Sequence, residues 1–307
     1  MTLTELRYIV AVARELHFGR AAEACDVSQP TLSVGIKKLE DELGCRIFER
    51  GTGEVHLTTV GRRIVDQALV VLEQSTVIHE LARDADTELA SAVHLGAIFT
   101  IAPYLLPHIL PQLRRVAPGM RWLIQENYTS RLLEQVRSGE LDCAIVAEPI
   151  DAAHLSVSPL YDEALFVALP SAHPLAQRGT PVHPADIRDD PMLLLGSGHC
   201  FREHVLAVSP EFSPLVSERR GIRHNFEGTS LETIRYMVAS GLGITLMPAL
   251  ALAADPRADV VYLPFAGMTP KRRVVLICRK SFNRMPVLER IRQALRQEAH
   301  AGLELLD

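Results

Sequence analysis

Apolar residues at Leu6, Ile9, Val10, Ala13 and Leu16 recur at steps of three and four, which predicts a first helix with one buried face, capped by Thr4. Phe18-Gly19-Arg20 opens a second helix through Ala21, Ala22, Ala24 and Cys25, whose small side chains let another helix cross closely. Ser28 as an N-cap, with Pro30 in the first turn, starts a third helix over 29–43 that carries Leu32, Ile36, Leu39 and Leu43 on one face. The tight Asp26-Val27-Ser28 junction makes the second and third helices a helix-turn-helix. Short runs at 47–50 and 55–57, around Gly51-Thr52-Gly53-Glu54, predict a two-stranded wing. Thr58 or Thr59 then caps a helix reaching to residue 86, roughly 40 Å long. Two adjacent apolar stripes run along it, Ile64, Ala68, Val71 and Ile78 beside Val65, Leu69 and Leu72. A double seam on an otherwise isolated helix suits pairing with a second copy of the chain.

Near residue 91 the pattern changes to short apolar runs at 93–97, 122–125, 143–146, 165–169, 192–195, 244–247 and 273–278, alternating with amphipathic helical stretches. Such alternation predicts α/β units with mostly parallel sheets. Two extended links, near 148–161 and 263–271, split this region and predict a central lobe inserted into another through a double hinge. The expected division is a winged helix-turn-helix over 1–58, a linker dimerisation helix over 59–90, a first regulatory lobe from 91–162 and 266–307, and a second from 163–265.

A length of 307 residues agrees with more than one core. The net charge of −5 changes the picture more, because nucleic-acid binders usually carry a basic surplus. Residues 1–58 hold seven basic and nine acidic side chains, so any DNA affinity must come from where the charges lie and from having more than one copy. Five cysteines without a CxxC pair suggest neither a disulfide framework nor a zinc site and fit a reducing cytoplasm. No uncharged apolar run reaches the ~18 residues of a membrane span, and no signal peptide is evident. No metal and no cofactor are expected.

Two constellations carry chemistry. Ser28, Gln29, Pro30, Thr31 and Ser33 at the start of the third helix can reach base edges and phosphates in a major groove, where Gln pairs adenine at two points. Lys37, Lys38, Arg46, Arg50, Arg62 and Arg63 are the candidate phosphate contacts. The second constellation is the glycine-flanked run Gly196-Ser197-Gly198-His199-Cys200-Phe201-Arg202-Glu203-His204. A thiol at a helix N-terminus with His199, Arg202 and His204 beside it favours thiolate, the form that attacks peroxide. From the residues alone, a reactive thiol and an inert buried cysteine with structural histidines both remain open.

The run MTLTELRYIVAVARELHFGRAAEACDVSQPTLSVGIKKLEDELGCRIFER resembles the winged helix-turn-helix of LysR-type transcriptional regulators. LLLGSGHCFREHVL, SLETIRYMVASGLGITLMP and KRRVVLICRKSF resemble segments of the OxyR-type hydrogen-peroxide sensors within that family. The resemblance spans nearly the whole chain. It implies a multidomain fold: an all-α winged helix-turn-helix plus linker helix, then two α/β subdomains forming a periplasmic-binding-protein-like effector domain. It also implies a cytoplasmic regulator rather than an enzyme, acting on promoter DNA and RNA polymerase as a homodimer that pairs into a homotetramer. Cys200 then matches the peroxidatic cysteine and His199 the histidine before it. Thr100, Thr129 and Arg272 match positions that hold peroxide, threonine hydroxyls serving its oxygens and Arg272 the departing hydroxide.

The sequence departs from the pattern at Ser209, where the family has a second, resolving cysteine. A hydroxyl does not resolve a sulfenic acid as a thiolate does, so this chain is expected to stop short of the intramolecular disulfide. Two other functions stay open: a LysR-type regulator sensing a small organic anion in the cleft between lobes, and a one-cysteine peroxidase.

Overall fold

The computed structural model describes residues 1–50, 55–84, 92–208, 227–253, 259–297 and 302–306. The chain separates into two compact units, the first over Met1–Thr87 with Arg137–Gly139 and the second over Glu88–Val136 and Glu140–Asp307.

The first unit contains α1 (Leu3–Glu15), α2 (Phe18–Ala24), α3 (Gln29–Leu43), β1 (Phe48–Arg50), β2 (Val55–Leu57) and α4 (Thr59–Asp84). Its first cap is Thr2, not Thr4. Thr2 Oγ1 accepts the Glu5 N–H at 3.2 Å and Glu5 Oε2 accepts the Thr2 N–H at 2.7 Å, a reciprocal pair that Thr4 has no matching acid to make. Leu6, Ile9, Val12, Leu32, Ile36 and Leu39 close a small core; Val12 takes a core place that the expected face did not include, while Leu16 and Leu43, expected on the buried faces, lie exposed at the helix ends. β1 and β2 pair antiparallel as the wing, Phe48 opposite Leu57. Glu40 fastens the wing: its buried carboxylate accepts the Ile47 N–H at 2.7 Å and the Phe48 N–H at 3.2 Å.

Helix α4 is not the isolated element its two stripes suggested. It packs on α1, burying Val65 and Ala68 in the unit's own core. Gly61 permits the approach, since a Cβ there would lie 2.1 Å from the Ile47 carbonyl oxygen. Farther along, Ile78 remains exposed.

The second unit begins with β3 (Val93–Ile98), α5 (Ala102–Val116), β4 (Trp122–Asn127), α6 (Thr129–Ser138) and β5 (Cys143–Ala147), a right order for parallel pairing through helical crossovers. β3 does pair parallel with both β4 and β5, and every residue of β5 is buried. The rest of the sheet is antiparallel, so the expectation of mostly parallel sheets does not hold. The cause is β6 (Leu155–Pro170), one sixteen-residue strand that joins the expected run at 165–169 to half of the expected extended link at 148–161.

The first half of β6 pairs with β11 (Lys271–Arg279), which pairs in turn with β5. The second half pairs with β9 (Thr245–Pro248) and β10 (Val260–Leu263). One strand therefore serves two groups of elements. With the first lie α5, α6 and the C-terminal helix Met285–Arg296; with the second lie α7 (Pro174–Arg178), β7 (Leu194–Leu195), α8 (Cys200–Val208), β8 (Glu227–Gly228), α9 (Leu231–Ala239) and α10 (Ala249–Ala253). The C-terminal helix, α11, packs on α5, and β12 (Leu303–Leu305) adds to β6 at Tyr161–Glu163.

Candidate functional site

In the DNA-binding unit, Ser28 caps α3, its Oγ accepting the Thr31 N–H at 3.4 Å and lying 2.8 Å from the Thr31 hydroxyl. Gln29, Pro30, Thr31 and Lys37 are exposed, and Ser33 is half-buried. Lys38 and Arg46 are engaged: Lys38 pairs with Glu5 at 3.0 Å and Arg46 with Glu40 at 2.9 Å. Arg62 and Arg63 are exposed at the start of α4. Arg50 ends β1, and its side chain lies outside the described residues, as does Ser209.

In the second unit, the strand ends and helix starts converge on one small, partly open pocket. Thr100 follows β3, Thr129 is the first residue of α6, and Cys200 is the first residue of α8; all three line the pocket with His199, Phe99 and Tyr128. Polar groups at helix starts are suited to a negatively charged or polarised ligand, because unbonded N–H groups and the positive dipole end face it. Gly198 is required by the turn into α8. Its φ is +97°, and a Cβ would meet the Tyr128 ring at 3.4 Å.

The hydroxyl of Thr129 is buried and has no hydrogen-bond partner. It does not cap α6, because Thr129 already lies inside the helix. His199 is 7% exposed and its Nε2 is likewise buried and unbonded. Burial pushes its imidazole below the ordinary 6.5, against a raising bond to the Thr229 backbone, so the ring is neutral at pH 7. With the ring's donor used on that backbone, the bare Nε2 is an acceptor. Tyr128 meets His199 edge-on at 4.8 Å between centroids, and Phe99 lies 6.0 Å from it and 5.3 Å from Tyr128, an aromatic wall around a polar centre.

Arg272 lies behind Thr100 rather than in the pocket wall. Its Nη1 donates to Thr100 Oγ1 at 3.0 Å, its Nη2 to the Thr100 carbonyl at 2.9 Å, and its Nε to Glu163 Oε2 at 2.8 Å. The Thr100 hydroxyl, accepting from Arg272, is left with its own proton to donate. Strand period places Arg272 inward and its neighbours outward: Arg273 pairs with Asp162 at 2.8 and 2.9 Å, and Lys271 pairs with Glu304.

Arg202 and His204, expected to add positive charge beside the thiol, are committed elsewhere. Arg202 donates to the Leu195 carbonyl at 2.8 Å, and His204 Nε2 donates to the Glu148 carbonyl at 2.6 Å, with burial holding that ring below 6.5 as well. Sequence reasoning missed Glu163, which is fully buried and also accepts the Leu250 N–H at 2.9 Å. Its signal was an acid directly before the apolar run Ala164–Leu169. It also missed Phe201, whose ring faces the Arg272 guanidinium at 5.1 Å.

Among the described residues no group of three His, Cys, Asp or Glu side chains could hold a metal ion, and no helix is long and apolar enough to cross a membrane. Residues 3–62 match the family described as bacterial regulatory helix-turn-helix protein, lysR family, and residues 86–300 match the LysR substrate binding domain. The DNA-binding transcriptional dual regulator OxyR of Escherichia coli is 40% identical over 297 residues, 96% of this chain and 95% of that protein. A full-length OxyR from Pseudomonas aeruginosa with a cysteine-to-aspartate substitution is similar in structure, with TM-score 0.68 and 46% identity over 99% of this chain and 98% of that one. A peroxide-bound cysteine-to-serine mutant of Corynebacterium glutamicum OxyR is also similar, with TM-score 0.63 and 31% identity over 96% of this chain and 92% of that one. With both of its units matched and relatives aligned along almost its full length, the chain belongs to the LysR family of bacterial regulatory helix-turn-helix proteins, with OxyR-type regulators among its homologues.

Proposed function

We propose that this protein is a transcriptional regulator that senses hydrogen peroxide by oxidation of Cys200 and controls oxidative-stress genes. The observation that carries the reading is the pocket at Cys200, with a free hydroxyl on Thr129, a bare His199 Nε2 and a Thr100 hydroxyl oriented by Arg272. The space left among these side chains is that of about one water-sized molecule, which favours a two-oxygen ligand over an organic anion. His199 takes the thiol proton, the sulfur attacks one peroxide oxygen, and the other leaves as hydroxide that is protonated to water. Thr100 and Thr129 hold the two oxygens. Arg272 acts as a positioning residue, steadying Thr100 as charge develops.

In this reading residues 1–58 bind promoter DNA through Ser28, Gln29, Pro30, Thr31, Ser33, Lys37 and Arg50. Residues 59–90 dimerise, and dimers pair into tetramers that act with RNA polymerase in a reducing cytoplasm. Residues 91–162 with 266–307, and residues 163–265, form two lobes joined through β6. With Ser209 in the resolving position, oxidation stops at the Cys200 sulfenic acid, a mixed disulfide or overoxidised forms.

Peroxide treatment followed by a sulfenic-acid probe and peptide mass spectrometry tests the sensor. Cys200 is expected to label before Cys25, Cys45, Cys143 and Cys278; equal labelling of all five overturns the reading. Catalytic peroxide turnover with a thiol reductant, together with failure of the purified oligomer to bind any promoter, would assign a peroxidase instead.

A further inference from the structure

Sheet pairing brings together two cysteines whose spacing in the sequence signals no relationship. Cys143 is the first residue of β5 and Cys278 the last but one of β11, and the antiparallel register sets them directly opposite one another. Both are free thiols, Cys143 wholly buried and Cys278 4% exposed.

The ladder also fixes the kind of pair they form. The Glu148 N–H donates to the Arg273 carbonyl at 2.9 Å, one step beyond the β5–β11 register. Opposite residues in an antiparallel ladder alternate between hydrogen-bonded and non-hydrogen-bonded pairs. Counting from Arg273, the pairs at Val275 and Ile277 are hydrogen-bonded, and those at Val274, Leu276 and Cys278 are not. Non-hydrogen-bonded pairs are the close ones, with Cα atoms about 4.5 Å apart, inside the roughly 4.4–6.8 Å that a disulfide spans. Residues opposite each other share one face of the sheet, and the two sulfurs are near enough that a charge on Cys278 disfavours one on Cys143.

On its other side Cys278 stands opposite Ser156 of β6, whose hydroxyl donates to the Cys278 sulfur. Burial pushes both thiols above their ordinary value, Cys143 the further, while Arg279, Ser156 and Arg292 ease Cys278 partway back. Thiolate is therefore scarce at both, but less so at Cys278. β5 begins at Cys143, so the pair ends the ladder, where strands open most readily and a small oxidant gains access.

We propose that Cys143 and Cys278 are a second redox pair of this chain, which hydrogen peroxide closes into a cross-strand disulfide between β5 and β11. The Cys278 thiolate attacks one peroxide oxygen, and the other leaves as hydroxide that is protonated to water, giving a sulfenic acid. The Cys143 sulfur then attacks the Cys278 sulfur, and the departing hydroxide takes up the Cys143 proton as a second water. One peroxide is reduced to two waters as two thiols become one disulfide. The pair shares no residue with the pocket at Cys200 and needs no thiol at position 209.

The full-length protein, reduced and freed of reductant, is treated with millimolar hydrogen peroxide, quenched with catalase, unfolded in urea with iodoacetamide and mapped without reduction. The map should contain the Cys143 peptide joined to the Cys278 peptide, equally in the unaltered protein and in Cys200→Ala. The bridge should form about tenfold or more slower than Cys200 is sulfenylated, in keeping with the scarce thiolate. Cys143→Ala and Cys278→Ala should each remove it. The pair is overturned if both thiols are recovered alkylated after treatment long enough to carry Cys200 to its sulfonic acid, if either is bridged to a different cysteine instead, or if Cys200→Ala loses the bridge. Should an alanine variant at 143 or 278 fail to fold, the maps of the unaltered protein and of Cys200→Ala still decide.

Discussion

The Arg272 guanidinium and the Glu163 carboxylate meet at 2.7 Å with both side chains almost wholly shielded from water, and the same guanidinium holds the Thr100 hydroxyl at the edge of the pocket. A buried pair of this kind contributes little over an apolar substitute, but removing one member leaves an uncompensated charge. Glu163→Gln keeps the volume and removes the charge. It should lower unfolding stability by about 3–5 kcal/mol, measured by urea titration. Thr100 loses its fixed orientation with it, so sulfenylation of Cys200 should slow at temperatures where the variant remains folded.

Gly198→Ala places a Cβ against Tyr128 and forces a left-handed backbone on alanine. The conformational cost is about 1 kcal/mol. Because Gly198 sets the path of the chain into His199 and Cys200, the expected effect on Cys200 oxidation is larger than the change in melting temperature suggests. Equal peroxide reactivity in the two proteins would show that the turn does not position the thiol.

How much of this was legible in the sequence differs from element to element. Ser28, Pro30 and the apolar face of α3 are local signals, and the helix forms over the expected residues. Cys200 and His199 stood out because glycines flank them. Of the long strand β6 only the run 165–169 was legible; Ser156 and Ser158 interrupt the apolar pattern of its first half, which is held by pairing with the distant β11. Arg272 was matched to a peroxide-holding position only through the resemblance; the strand's two-residue period was the signal that it points inward, but Glu163, its partner, lies over a hundred residues away. Long-range pairing of this sort leaves no periodicity. Arg202 and His204 illustrate the reverse error, since proximity in sequence to Cys200 implied a charge effect that backbone carbonyls absorb.

Burial depresses the pKa of both His199 and His204 below 6.5, so on acidification the unfolded chain takes up protons before the folded one. The stability these rings contribute is therefore complete above 6.5 and is lost as the pH falls through that value toward the lower folded pKa values. Melting temperature should drop between about pH 7 and pH 5, and His204→Gln should flatten part of the drop. An unchanged profile in that variant would mean that His204 titrates normally in the folded state.

Restoring a thiol by Ser209→Cys tests the halted switch. After peroxide, the variant should form a Cys200-linked intramolecular disulfide visible in non-reduced peptide maps, with release of a second water. The unaltered chain should give sulfenic acid or mixed disulfides under the same conditions. If it forms an intramolecular disulfide from Cys200 to one of its other four cysteines, Ser209 does not end the redox pathway.

The DNA-binding unit carries a net charge of −2 over residues 1–58, and two of its expected phosphate contacts, Lys38 and Arg46, are already paired with Glu5 and Glu40. On the proposed reading, affinity rests on the exposed positions of α3 and of α4 at Arg62 and Arg63 and on multiplication by oligomerisation. Lys37→Ala removes an exposed charge and should weaken binding uniformly across sequences, reducing the slope of log affinity against log salt by about one per contacting protomer. Gln29→Ala should leave that slope unchanged and cost about 1–3 kcal/mol at the operator only, relaxing the preference for adenine at one position in each half-site. Lys38→Ala should change the slope less than Lys37→Ala, because its charge already faces Glu5 at 3.0 Å. Titrations of the three variants against operator and scrambled duplexes at several salt concentrations separate the roles. Identical slopes for Lys37→Ala and the unaltered protein would move the phosphate contacts from α3 to the exposed Arg62 and Arg63 of α4.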